Sequence, residues 1–164
     1  WDLFQTFVSQ ILEERYEGTS TKVKQPTLKD RLLLAVEQIP DYDNPGFKYG
    51  NQLPVTLPDN IITKEGKRLI LDTKWKFDKV PSGDWYQAIS YSLGFTCDTI
   101  LLHPRDENGR KISDGFKIAF PKFERSELTI HIKTIDFQKA AQSTDFISDL
   151  RDQIVEIVEN IDLK

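Results

Sequence analysis

The chain has 164 residues, of which 38% are hydrophobic and 29% charged, a balance typical of one globular domain with its own core. Its single cysteine excludes an internal disulfide framework and a cysteine-based zinc site, and no apolar run reaches membrane-spanning length. The net charge of −4 argues against a stand-alone nucleic-acid binder. We expect a cytoplasmic protein with no membrane partner. From its length, we expect residues 1–164 to form a single domain. Since methionine is absent, we also expect this domain to be the C-terminal part of a longer polypeptide.

The first quarter of the chain predicts two helices and a short strand. Apolar residues recur at helical spacing over residues 2–16, and residues 21–25 have the pattern of a short strand. A capping-box pattern at Thr27 begins a second helix, which Pro40 ends. The turn-rich residues 41–54 then predict a surface loop.

The most informative segment is a predicted hairpin over residues 57–76. Two runs rich in Ile and Leu flank a short turn at Glu65-Gly66, and a turn there places Ile61 opposite Ile70 in an antiparallel ladder. Away from the open end of the hairpin, both faces of the two strands are apolar. We therefore expect these strands to be buried on both sides.

The same register gathers charged residues at the open end of the hairpin. Asp59 falls directly opposite Asp72, and Lys74 projects from the same face as Asp72. Like charges directly opposite one another destabilise a sheet, so a divalent cation between the two aspartates is the simplest explanation. We predict that Asp59, Asp72 and the backbone carbonyl of Thr73 hold Mg²⁺ or Mn²⁺, while Lys74 serves phosphodiester cleavage. The open alternative is a surface aspartate and a salt-bridged Asp–Lys pair.

The rest of the chain predicts one further crossover and a final helix. Ser82-Gly83-Asp84 marks the start of a helix that runs through Trp85–Leu93 and ends at Gly94, and Ser143 or Thr144 caps the last helix. Three strands are predicted between these helices: residues 98–103, 115–120 and 127–135. The order of elements predicts a mixed α/β sheet with helices on both faces, in which a helix crosses over from the hairpin to a parallel strand.

Several other polar and aromatic residues favour structural roles. His103 and His131 are far apart in the sequence and belong to no recognisable metal-binding spacing. Trp85, Tyr86 and Tyr91 could stack on bases, but their helical spacing favours positions in or at the rim of the core.

Four segments carry a resemblance to a known family: Pro58-Asp59, Leu69–Lys76, Asp84–Tyr91 and Leu101–Pro104. In this order they resemble the PD-(D/E)XK nuclease domain of the McrC family, the cleavage subunits of McrBC-type modification-dependent restriction systems. The likeness runs from about residue 1 to about residue 135. It implies a restriction-endonuclease-like mixed β-sheet flanked by helices.

The resemblance also implies roles for individual residues. Asp59 and Asp72 would bind the metal, Lys74 would be catalytic, and Gln87 on the following helix would support the active site. The family usually carries Glu after Leu-Phe on its first helix, whereas this chain has Gln5. An amide is a poorer metal ligand than a carboxylate, so no metal-binding role is carried over to Gln5.

At the level of function, the resemblance implies a Mg²⁺-dependent DNA endonuclease domain that is activated by a GTP-hydrolysing AAA+ partner of the McrB type. The chain has no G-x-x-x-x-G-K-[ST] motif, so the motor would be that separate partner. Two alternatives stay open: a repair or junction-type nuclease of the same superfamily, and a non-catalytic assembly module of a restriction complex.

Overall fold

The computed structural model describes residues 2–26, 57–76, 80–105, 115–119 and 127–161. The elements in chain order are α1 (Asp2–Tyr16), β1 (Lys22–Lys24), β2 (Asn60–Lys64), β3 (Lys67–Thr73), α2 (Ser82–Phe95), β4 (Asp98–Pro104), β5 (Gly115–Ala119), β6 (Glu127–Ile135), α3 (Phe137–Ala141) and α4 (Phe146–Glu159). The helix predicted to start at Thr27 and the loop predicted over residues 41–54 lie outside the described residues.

The described strands form one mixed sheet in the order β1-β2-β3-β4-β6-β5. The first three strands pair antiparallel, β3 pairs parallel to β4, β4 pairs parallel to β6, and β5 returns antiparallel to β6. The parallel pairing of β3 with β4 is the one predicted from the crossover helix, because α2 connects these two strands. The mixed α/β architecture is therefore confirmed.

Helices cover both faces of the central strands. Leu69 and Leu71 of β3 are fully buried in a core with apolar residues of α1 and α4. Ile70, between them on the chain, points to the opposite face and packs against Tyr91 of α2. This alternation confirms that β3 is buried on both sides. Within the described ranges, no helix is long and apolar enough to cross a bilayer.

The end of α2 differs from the sequence-based prediction. Gly94 lies inside the helix, which continues to Phe95 and ends at Thr96 in the left-handed conformation, with φ of 53°. The backbone N–H of Thr96 donates to the carbonyl of Ser92, so the helical hydrogen-bond pattern passes Gly94 without interruption. Glycine often ends a helix, but it does so only where its backbone takes the left-handed turn.

The prediction for the start of the last helix was also wrong, because the cap of α4 is Asp145 rather than Ser143 or Thr144. The carboxylate of Asp145 accepts a hydrogen bond of 3.0 Å from the backbone N–H of Ser148, the geometry of an N-cap. The hydroxyl of Ser143 instead accepts from the backbone N–H of Asp145 and closes the preceding turn.

Candidate active site

The β2–β3 hairpin has the register that its sequence predicts. Glu65 and Gly66 both have positive φ, 52° and 78°, as a two-residue type I′ turn requires. This turn pairs Ile61 with Ile70, and the regular ladder ends at the pair formed by Asn60 and Leu71. The next position on each strand is an aspartate, so Asp59 and Asp72 lie at the open end of the hairpin, as predicted.

The carboxylate of Asp59 is fixed by Thr73. One oxygen, Oδ2, accepts a hydrogen bond of 2.7 Å from the backbone N–H of Thr73 and a second, short one from its hydroxyl. Thr73 follows Asp72 directly and is the last residue of β3. The three predicted oxygen donors, from Asp59, Asp72 and Thr73, therefore belong to one end of the hairpin.

Asp72 is buried, with an exposed fraction of only 1%. Burial raises the pKa of its carboxyl to about 7; the ammonium of Lys74 lowers that pKa, and the charge of Asp59 raises it further. Oδ2 of Asp72 lies 2.5 Å from Nζ of Lys74 as an ion pair, but it has no partner with hydrogen-bond geometry. The ammonium of Lys74 therefore does not fully offset the free-energy cost of burying an ionised Asp72 beside the carboxylate of Asp59.

This donor set fits a hard divalent cation. Carboxylate and carbonyl oxygens are the ligands that Mg²⁺ and Mn²⁺ prefer, and Mg²⁺ completes its coordination with water. Among the described residues, no group of three or more His, Cys, Asp or Glu side chains could hold a metal ion. A cation here would therefore depend on Asp59, Asp72 and the carbonyl of Thr73, together with water.

Lys74 is held between β3 and α2. Its ammonium pairs with Asp72 and also donates a hydrogen bond of 2.7 Å to Oε1 of Gln87, and the residue is only 7% exposed. Its backbone N–H donates to the carbonyl of Leu102 on β4, at 2.8 Å. Both the main chain and the ammonium of Lys74 are therefore held in place.

The hydrogen bonds continue from Gln87 to the loop that carries Asp59. Nε2 of Gln87 donates to the hydroxyl of Tyr91 at 2.9 Å, and that hydroxyl donates to the carbonyl of Leu57 at 2.7 Å. Tyr91 is fully buried, and burial raises its pKa well above the usual range, so the hydroxyl stays a donor. Lys74 is therefore linked through α2 to the backbone two residues before Asp59.

Comparisons with known proteins give a fold and no family. No protein-family model and no curated protein matches this sequence. Among solved structures, it is similar to a chain of an assembly described as the refined half-complex from the tetradecameric assembly of Thermococcus gammatolerans McrB AAA+ hexamers with bound McrC. The match covers 95% of this chain and 33% of that chain, with 16% identity and a TM-score of 0.55.

The fold is a mixed β-sheet flanked by helices, and it is consistent with the PD-(D/E)XK-like fold expected from the sequence. At 16% identity the likeness establishes the fold alone, and this chain spans about a third of the length of the chain that it matches. The open end of the β2–β3 hairpin and helix α2 bring together Asp59, Asp72, Lys74 and Gln87, which are the four residues chosen from the sequence.

The other residues singled out in the sequence do not belong to this hydrogen-bonded group, although His103 is close enough for the charges of Asp84, Lys74 and Lys76 to act on its pKa. Gln5 is half-buried on α1. Burial lowers the pKa of His103 to about 4, so its ring is neutral, and His131 lies 3.5 Å from Asp98. Tyr86 is 69% exposed, so its assignment to the core or core rim was wrong.

Sequence reasoning missed the second role of Tyr91, which is both a core residue and a hydrogen-bond partner in the site. The available signal was its spacing from Gln87, since residues four apart share one face of a helix. The ion pair between Lys76 and Asp84, with oxygen distances of 2.8 and 2.7 Å, was also missed.

Proposed function

We propose that this domain is a Mg²⁺- or Mn²⁺-dependent DNA endonuclease that cleaves phosphodiester bonds in a modification-dependent restriction system. One observation carries the proposal. Two aspartates and a lysine meet at the open end of one hairpin, with Asp72 against Lys74 at 2.5 Å and Gln87 holding the same ammonium. The same residues carry the resemblance to the McrC family.

The chemistry assigns a distinct task to each residue. Asp59, Asp72 and the carbonyl of Thr73 would hold the cation, and the raised pKa of Asp72 fits this task because a second positive charge stabilises its ionised form. When bound, the metal supplies a water of lowered pKa and a positive charge against the phosphate.

Lys74 supplies the fixed cation of the site. Its ammonium can orient an attacking water and neutralise charge that develops on the phosphate in the transition state. Gln87 accepts a hydrogen bond from this ammonium, and the carboxylate of Asp72 forms an ion pair with it. The lysine is therefore positioned before substrate arrives, which lowers the cost of reaching the reactive geometry.

The proposed partner is a GTP-hydrolysing AAA+ subunit. The solved assembly whose chain shares this fold contains McrB AAA+ hexamers with bound McrC, which supports a partnership of the same kind here. The net charge of −4 also favours recruitment, because a protein of negative net charge binds DNA phosphates weakly on its own.

Plasmid nicking tests the proposal. The purified domain, incubated with supercoiled plasmid at low salt, should nick DNA with Mn²⁺ or Mg²⁺ and lose this activity in EDTA. Asp72→Asn should lose it as well, whereas Asp152→Asn, which makes the same charge change on the exposed face of α4, should retain it. Equal nicking by the wild type and Asp72→Asn would show that the cleavage comes from elsewhere. If the wild type nicks no DNA either alone or with its AAA+ partner, the result would favour the alternative of a non-catalytic assembly module.

A further inference from the structure

Three polar side chains of α2 point to the same side of the helix. Asp84, Gln87 and Tyr91 are spaced by three and four residues, which places them along one stripe. Gln87 and Tyr91 contact Lys74 and the carbonyl of Leu57, as described above. The third member of the stripe, Asp84, also reaches the end of β3, and the proposed chemistry does not use it.

Asp84 binds the residue that lies two positions after Lys74. Nζ of Lys76 donates to both carboxylate oxygens of Asp84, at 2.8 and 2.7 Å. The side chain of Asp84 is 10% exposed and that of Lys76 is 34% exposed. Because the carboxylate is largely withdrawn from water, loss of its partner leaves a poorly solvated charge in contact with the site.

This ion pair lies at the first turn of α2, next to Trp85, which packs against the buried residues Ala88, Leu101 and Ile130. The backbone N–H groups of Asp84 and Trp85 both donate to the carbonyl of Pro81, at 3.0 and 3.3 Å. Pro81 caps the helix without a side-chain hydrogen bond. The Lys76–Asp84 ion pair therefore supplies a side-chain tie between this turn and the end of β3.

We propose that Asp84 and Lys76 are positioning residues for the active site. Gln87 lies one turn after Asp84 on the same rigid helix, so fixing the first turn to Lys76 sets the place from which Gln87 meets Lys74. The inference rests on the proposed nuclease function. In the competing assignment, Lys76 contacts a DNA phosphate directly. Asp84 would then weaken DNA binding, because it pairs with the same ammonium.

Two single substitutions separate these assignments. Asp84→Asn and Lys76→Gln both break the ion pair, so positioning predicts that each lowers kcat by about 10- to 100-fold while the KM for DNA changes little. Direct phosphate contact predicts opposite effects, with tighter DNA binding by Asp84→Asn and weaker binding by Lys76→Gln. Opposite effects would overturn the proposal. Lys76→Arg keeps a charge that can bind both oxygens, and it should retain more activity than Lys76→Gln.

Hydrogen exchange tests the positioning without any cleavage. In Asp84→Asn, amides of the first turn of α2 should exchange faster than in the wild type, while amides of α4 should be unchanged. Arg151→Gln breaks the exposed pair with Glu14 and is the matched control, which should affect neither α2 nor cleavage. Unchanged exchange in α2 contradicts the proposal even if the domain has no nuclease activity, and faster exchange with full activity contradicts it too.

Discussion

At the scale of single residues, Asp72 is where burial and charge conflict most directly. Its carboxyl is nearly inaccessible and lies beside a second carboxylate, and a single ammonium opposes their charge. Mg²⁺ or Mn²⁺ should therefore stabilise the wild type, by about 2.7 kcal/mol at a metal concentration of 100 times Kd. Thermal unfolding and calorimetry should show this effect in the wild type and in Asp152→Asn, and should show little of it in Asp72→Asn. Equal metal binding by Asp72→Asn would remove Asp72 from the site.

Lys74 should contribute to cleavage more than to folding. Lys74→Ala removes the ammonium between Asp72 and Gln87, so we expect cleavage to fall by about 100- to 1,000-fold while the domain stays folded. Metal binding should persist, because the oxygen donors remain. The measurement is nicking at saturating metal, with circular dichroism as the check on folding. A normal rate would exclude a catalytic role for Lys74.

His103 makes the fold sensitive to acid. Burial lowers its pKa from 6.5 to about 4, so the folded state disfavours the charged ring. Its contribution to stability is complete above pH 6.5 and is lost as the pH falls towards 4. His103→Phe replaces the imidazole with an apolar ring that cannot ionise. At pH 4 it should therefore reduce the acid-dependent loss of the free energy of unfolding by about 1–3 kcal/mol. Urea unfolding at several pH values measures this pH dependence, with His131→Gln as control. If the free energy of unfolding falls equally with pH in the wild type and in His103→Phe, His103 is not the source of the acid sensitivity.

At the scale of elements, the hairpin is specified mainly by its turn. Glu65 carries a side chain in the left-handed region, which asparagine tolerates better than glutamate. Glu65→Asn should therefore stabilise the domain by about 0.5 kcal/mol, and Gly66→Ala should destabilise it by about 1 kcal/mol, because φ of 78° strains any residue with a Cβ. Urea unfolding measures both changes. Stabilisation by Gly66→Ala would show that the turn is not of type I′.

The sequence predicts the hairpin well because its information is local. The turn fixes the register, and the register alone brings Asp59 opposite Asp72, one position beyond the pair of Asn60 and Leu71. Contacts across the crossover are different. The pairs Lys76–Asp84 and Tyr91–Leu57 join segments that no short-range pattern connects, so their polar side chains resemble ordinary surface or core positions in the sequence.

Helix ends show the same limit on a smaller scale. Asp145, Ser143 and Thr144 are all good capping residues, and only the path of the chain decides which carboxylate or hydroxyl meets a free N–H. The short α3 was not predicted, because five residues give too little periodicity to be recognised. That residues 1–164 form a single domain of a longer chain stays a prediction.

At the scale of the whole molecule, we expect cleavage without sequence reading. The described site offers groups for phosphate chemistry, and phosphate contacts position a protein without specifying bases. The isolated domain should therefore cut matched methylated and unmethylated DNA at equal, slow rates. Digestion at low salt with Mn²⁺ measures the ratio, and addition of the AAA+ partner should change it. A strong preference for methylated DNA in the domain alone would place recognition within these 164 residues.

The parallel pairing of β3 with β4 also has a consequence during translation. Asp59, Asp72 and Lys74 leave the ribosome before Gln87, Tyr91 and β4, which hold them in place. β4 itself pairs with β6, some thirty residues further along the chain. A nascent or prematurely terminated chain that stops before β4 therefore carries the charged groups of the proposed nuclease without the sheet that aligns them.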